Sequence, residues 1–97
     1  MKKPIKIEHF FFPDGVIQGF QVADNELKLT FADSCNCKML FHFYDADEVN
    51  EQYEIGTSVY SSRLEKVGDR TRLRLLDDDL KEMLTITFRT YLIEEFK

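Results

Sequence analysis

Leu27, Leu29 and Phe31 alternate with Lys28 and Thr30, and Leu84, Ile86 and Phe88 alternate with Thr85, Thr87 and Arg89. This two-residue period belongs to strands that bury one face. Residues 16–23 have the same character, with Val16, Phe20 and Val22 on one side and Ile17 on the other; Asp24 and Asn25 then lead into 26–31 as a hairpin. A turn at Asp33, Ser34 and Asn36 precedes a run in which Cys37, Met39, Phe41 and Phe43 share one face and Leu40 and Tyr44 the other, the pattern of a central strand covered on both sides. Residues 5–12 read as a strand too crowded with phenylalanine for one face, ended by the turn Pro13-Asp14-Gly15.

The second half is less regular. Residues 45–52 almost lose the apolar pattern and read as a loop or a single helical turn. In 53–67, Ile55, Val59 and Tyr60 fit a helical stripe while Thr57, Ser58, Val59, Tyr60 and Ser61 fit a strand; the turn residues Gly68 and Asp69 favour strands on both sides. Leu73 and Leu75 alternate with Arg72 and Arg74, Asp77, Asp78 and Asp79 interrupt, and 83–96 is long enough to cross a sheet and bend. Six or seven short strands at even spacing predict a mainly β fold, a single-domain antiparallel sheet forming a small sandwich or partly open barrel. Its expected core is Leu27, Leu29, Phe31, Met39, Phe41, Leu84, Ile86 and Phe88. No repeat, linker or low-complexity tract divides residues 1–97.

Nine Phe and four Tyr, with no Trp, fill the core of a 97-residue chain and leave little interior for a buried small-molecule pocket, which directs attention to the surface. Eighteen acids against thirteen bases give a net charge of −5 and a pI near 5.0. Nucleic acid is disfavoured by that field and a basic protein is favoured. Cys35 and Cys37 are too close along a strand to bridge without distortion, so neither a disulfide framework nor an oxidising compartment is expected. Lys6, Glu8 and His9 break any signal-like apolar region, and no run approaches the ~20 residues that span a bilayer. The chain reads as soluble and cytoplasmic, with no membrane partner.

Candidate chemistry is sparse. His9, Cys35, Cys37 and His42 offer soft-metal atoms without a zinc spacing, and Cys37 and His42 fall on opposite faces of a regular strand, with Cys37 placed in the core. Ser58, Ser61 and Ser62 lack a nucleophile elbow. Asp77, Asp78 and Asp79 lack both the calcium-loop spacing and environments that would split their pKa values. Arg63, Lys66, Arg70, Arg72 and Arg74 are the sole sizeable basic cluster; with Tyr60 they form the best nucleic-acid surface, but Glu65 and Asp69 dilute it and Arg72 and Arg74 suit the wet face of a strand. No enzyme activity, metal or cofactor is expected. The most unusual polar segment is 44–54, where Asp45, Asp47, Glu48, Glu51 and Glu54 have no base among them and Tyr44 and Tyr53 stand near its ends. Acids that steer encounter and a tyrosine that supplies contact area suit a basic protein partner.

The segments Pro13-Asp14-Gly15-Val16-Ile17, Glu26-Leu27-Lys28-Leu29-Thr30-Phe31 and Lys38-Met39-Leu40-Phe41-His42-Phe43, and less fully Leu84-Thr85-Ile86-Thr87-Phe88, resemble small β-rich immunity proteins of bacterial polymorphic toxin and contact-dependent growth inhibition systems. The resemblance implies a cytosolic protein that neutralises a cognate toxin by covering an essential surface. Toxin nucleases are often basic, which fits the acidic balance. The expected partner-binding residues are Asp45, Asp47, Glu48, Glu51, Tyr53 and Glu54, joined by Asp77, Asp78 and Asp79. The alternative is a structural or assembly module, a homodimer pairing through an exposed strand edge.

Overall fold

The computed structural model of the chain describes residues 5–24, 26–51 and 56–95. Eight strands follow a short 3-10 helix (Ile7–His9): β1 (Val16–Ala23), β2 (Glu26–Ala32), β3 (Lys38–Tyr44), β4 (Asp47–Glu51), β5 (Ser61–Val67), β6 (Arg70–Leu76), β7 (Glu82–Phe88) and β8 (Thr90–Glu95). They form two four-stranded sheets, β1-β2-β3-β8 and β4-β7-β6-β5, and every pairing is antiparallel. The chain changes sheet twice, from β3 to β4 through Asp45 at φ 51° and from β7 to β8 through Arg89, whose N–H donates to the Tyr44 carbonyl at 3.1 Å. Bent strands shared in this way make the corners of a sandwich. At the other margin the start of β1 meets residues 58–60: Asp14 N–H donates to the Val59 carbonyl and Val59 N–H to the Gly15 carbonyl, both at 2.8 Å.

All eight expected core residues are buried. Phe10, Phe12, Phe31, Phe41 and Phe43 pack with ring centroids mostly 4.8 to 6.2 Å apart, distances at which edge-to-face rings attract. The crowding at 10–12 is resolved without a strand. One 3-10 turn, closed by His9 N–H on the Lys6 carbonyl, buries Ile7 and sends Phe12 inward while Phe11 remains 61% exposed.

Other expectations are corrected. Residues 47–51 form a strand; β4 is an edge that pairs with β7 alone, so backbone hydrogen bonds define it where the apolar pattern is silent. A bulge between Ile17 and Gly19 puts Ile17 and Phe20 on the same side, because one extra residue flips the alternation. Cys37 is exposed, since β3 begins one residue later, and Leu40 and Tyr44 are half-buried, not covered as a doubly packed strand would be.

The chain also has an internal order that its letters hide. β1-β2-β3 and β5-β6-β7 are equivalent meanders, and each sheet is completed by the fourth strand of the other half. A shift of 44 residues carries Glu26–Ala32 onto Arg70–Leu76 and Asp33 onto Asp77. Within 26–37 only Leu29 and Asp33 recur, as Leu73 and Asp77, so no repeat is visible in the sequence.

Candidate functional site

In the acidic segment 45–51, Asp45 and Asp47 are paired with arginines of the same chain. Asp47 is ion-paired to Arg70. Arg89 lies 3.9 Å from Asp45 and 3.1 Å from Asp69. The hydrogen bond with Asp47, then the charges of Asp47, Asp69 and Asp45, raise the Arg70 guanidinium above its ordinary value. Glu48 and Glu51 are residues of β4; Tyr53 and Glu54 lie outside the described residues. Asp47 sits beside the first residue of β6 and Asp77 follows its last, which separates them by roughly 20 Å at strand rise. The two groups of acids therefore do not form one surface.

Asp77, Asp78 and Asp79 sit at the tip of the β6–β7 hairpin, and their surroundings differ. Asp77 N–H donates to the Lys81 carbonyl and Leu80 N–H to the Asp77 carbonyl, both at 3.0 Å, while Asp77 Oδ1 accepts the Asp79 and Lys81 N–H groups at 2.9 Å each. This Asp side chain builds the turn, as its type commonly does. One carboxylate oxygen from each of the three acids falls within 4.8 Å of the others, so they are the described residues that could share a cation, with Asp77 already committed to backbone donors.

A cleft of about 270 Å³ opens beside this tip, lined by Asp14, Thr57, Ser58, Val59, Tyr60, Asp77 and Asp78. Its walls come from three distant stretches of sequence, brought together by the hydrogen bonds between 14–15 and Val59 and by Tyr60 N–H on the Leu76 carbonyl at 2.8 Å. Tyr60 is 60% exposed. Among the described residues, Asp14, Asp77, Asp78 and Asp79 make no ion pair, in contrast to Asp45 and Asp47. Hydroxyls and carboxylates line the cleft without an imidazole or thiol among the described residues, a set suited to binding a cationic surface.

The remaining candidates are engaged elsewhere. Arg63 and Arg74 face each other across β5 and β6, as do Glu65 and Arg72. Arg74 lies 3.4 Å from both Glu65 and Glu82, and Arg72 donates to Thr87 Oγ1 at 3.2 Å. His42, on the outer face of β3, has Nδ1 2.6 Å from Glu26 and Nε2 3.2 Å from Glu94. Cys35 and Cys37 occupy the β2–β3 turn, where Asp33 Oδ1 accepts both of their N–H groups at 2.9 Å.

Sequence reasoning placed Asp77–79 in a candidate interface but missed Asp14 and Leu80, and it weighed Tyr60 only as a stacking surface for nucleic acid. The available signal was the second occurrence of an Asp-led turn: 33–37 and 77–81 align on their aspartates, and the second has acids where the first has Ser34 and Cys35. No helix among the described residues is long and apolar enough to cross a membrane. Comparison with protein-family models, with curated proteins and with solved structures returns no match.

Proposed function

We propose that this chain is a non-catalytic binding protein for a basic protein, acting in the cytoplasm as the immunity partner of a basic, nuclease-like toxin. The observation that carries the reading is the cleft in which Asp14, Asp77 and Asp78, with no ion pair among the described residues, line the walls beside the exposed Tyr60. Uncompensated carboxylates steer a positive surface into encounter, and a partly exposed tyrosine beside them gains contact area when water is excluded. The resemblance of 13–17, 26–31 and 38–43 to immunity proteins supplies the biological role. The test is co-expression with the product of the upstream reading frame, scoring survival and complex formation; a harmless neighbour, or a pair that neither protects nor binds, ends the immunity reading. Charge reversal at Asp77 and Asp78 should slow association most at low salt, with the defect shrinking as the screening length falls to about 8 Å at physiological ionic strength.

The rival is a homodimer. Its supporting observation is the outer edge of β1, where Val22 is 68% exposed on a strand that, among the described residues, pairs in a ladder with β2 and meets residues 56–59 only near its start. A mass by sedimentation that doubles with concentration, and is lost on Val22→Lys, would favour it.

A further inference from the structure

The hairpin tips 33–37 and 77–81 have the same backbone. Asp33 N–H donates to the Cys37 carbonyl at 3.0 Å and Asn36 N–H to the Asp33 carbonyl at 2.9 Å, matching the bonds of Asp77 and Leu80. In each, the fourth residue adopts a left-handed conformation, Asn36 at φ 64° and Leu80 at φ 62°. Asparagine enters that region readily, whereas leucine crowds its Cβ against the backbone there. Leu80 gains no core burial in return: it is 59% exposed, on a second cleft of about 200 Å³ formed with Arg63, Arg74, Leu76 and Glu82.

Neighbouring positions differ in the same sense. The residue before the pair Val16–Ala32 is the buried Gly15, whereas the residue before the pair Ser61–Leu76 is the exposed Tyr60. Ser34 and Cys35 in one tip become Asp78 and Asp79 in the other. At one of two equivalent ends, then, the fold carries added apolar surface and added negative charge that its backbone does not need.

We propose that Leu80 and Tyr60 are the apolar anchors of a docking surface for a basic protein segment, one that presents an aliphatic or aromatic side chain flanked by lysine or arginine. The proposal rests on the function inferred above and locates its centre at the β6–β7 tip. The occupant follows from charge at the Tyr60 cleft, where Asp14, Asp77 and Asp78 make no ion pair among the described residues; the Leu80 cleft, which holds Arg63 and the Arg74–Glu82 pair, takes the apolar side chain, and clefts of about 270 and 200 Å³ are sized for single residues. Exposed tyrosine and leucine enclosed by a polar rim match the anatomy of an interface centre.

The test pans a random 12-residue peptide library against the folded full chain and measures the recovered peptides against variants. Basic peptides bearing an apolar residue should be enriched. Their affinity should fall at least tenfold on Leu80→Asn and on Tyr60→Ala and change less than twofold on Asn36→Gly. Leu80→Asn should meanwhile raise the melting temperature, by about 2–4 °C if a fraction of the left-handed cost is relieved. Basic peptides that ignore Leu80→Asn but are lost on charge reversal of Asp77 and Asp78 would overturn the anchor and leave the basic-partner reading standing. Enrichment of acidic or neutral peptides, or no enrichment, would sink both. A lower melting temperature for Leu80→Asn would make Leu80 a residue of the fold and overturn the proposal.

Discussion

The two halves of this molecule share a strand plan and divide its physical tasks. In the β1–β2–β3 half, Phe31 and Phe41 join Phe10 and Phe12 in a ring cluster; in the β5–β6–β7 half, the corresponding interior is built from Leu73, Leu75, Leu84 and Ile86. The outer faces differ as well. The second half spreads Arg63, Arg70, Arg72 and Arg74 over its sheet with Asp47, Glu65 and Glu82 among them, and its hairpin tip leaves Asp78, Asp79 and Leu80 exposed. Both halves are well buried; what differs is that the clustered phenylalanine rings belong to the first and a mostly aliphatic interior to the second.

The strongest way to break that division is to truncate equivalent core positions. Phe41 touches Phe10, Phe12, Phe31 and Phe43, and Phe41→Ala should cost about 3–5 kcal/mol. Ile86→Ala removes less surface from a site without such a cluster and should fall below it, at about 2–4 kcal/mol. Urea unfolding of both variants gives the comparison; an equal or reversed order would mean that the ring cluster is not the centre of stability.

Gly15 and Tyr60 sharpen the contrast one step down. A Cβ at Gly15 would stand 2.3 Å from Phe31 Cζ and 2.8 Å from the Ala32 carbonyl oxygen, so Gly15→Ala must displace a buried ring and should cost about 1–3 kcal/mol. Tyr60→Ala, at the equivalent place before β5, should change stability by less than about 0.5 kcal/mol. Thermal melts of the two variants check this. A destabilised Tyr60→Ala would turn that side chain into a packing element and weaken the docking surface.

Much of this plan is legible in the chain. Leu27, Leu29, Phe31, Leu84, Ile86 and Phe88 alternate strictly and belong to the core; in β7 Thr85 and Thr87 are buried as well, which the alternation does not announce. β4 is hidden because its ladder is a backbone property and its side chains sit among acids and amides. The bulge at residues 17–19 breaks the two-residue count on which facing is judged, and within 5–12 a 3-10 turn at Ile7–His9 replaces the expected strand, which the three phenylalanines after it do not announce. The candidate site was half legible: Asp77–79 stand out as a run, but Tyr60 reaches them through a hydrogen bond to Leu76, and Asp14 through hydrogen bonds between 14–15 and Val59, segments more than forty residues apart in sequence. Charge compensation is likewise invisible in one dimension. Asp45 and Asp47 look freer than Asp77 in the sequence because their arginines, Arg70 and Arg89, come from other strands.

A smaller difference separates the aspartates that build the two tips. Asp33 and Asp77 each accept two backbone N–H groups, and loss of either carboxylate should cost about 1–2 kcal/mol at these exposed sites. Asp77 also stands beside Asp78 and Asp79, so its removal relieves repulsion that Asp33 does not experience. Asp77→Ala should therefore destabilise less than Asp33→Ala at low salt, and the gap should narrow as salt is added. Denaturant titrations at two ionic strengths decide it, and a gap that persists in high salt would point to turn geometry in place of charge.

The finest test uses the thiol that the first tip holds and the second lacks. The nearby Asp33 carboxylate, with lesser contributions from desolvation, Glu95 and Cys35, raises the Cys37 pKa above its ordinary value. A raised pKa leaves less thiolate at neutral pH, and thiolate is the species that alkylates. Asp33→Asn removes the largest cause while keeping a side-chain oxygen for the turn, so the Cys37 pKa should fall and its labelling by iodoacetamide should quicken. Peptide mass spectrometry after timed quenching reads Cys37 separately from Cys35. An unchanged rate on a variant that still folds would show that the field of Asp33 does not govern this thiol.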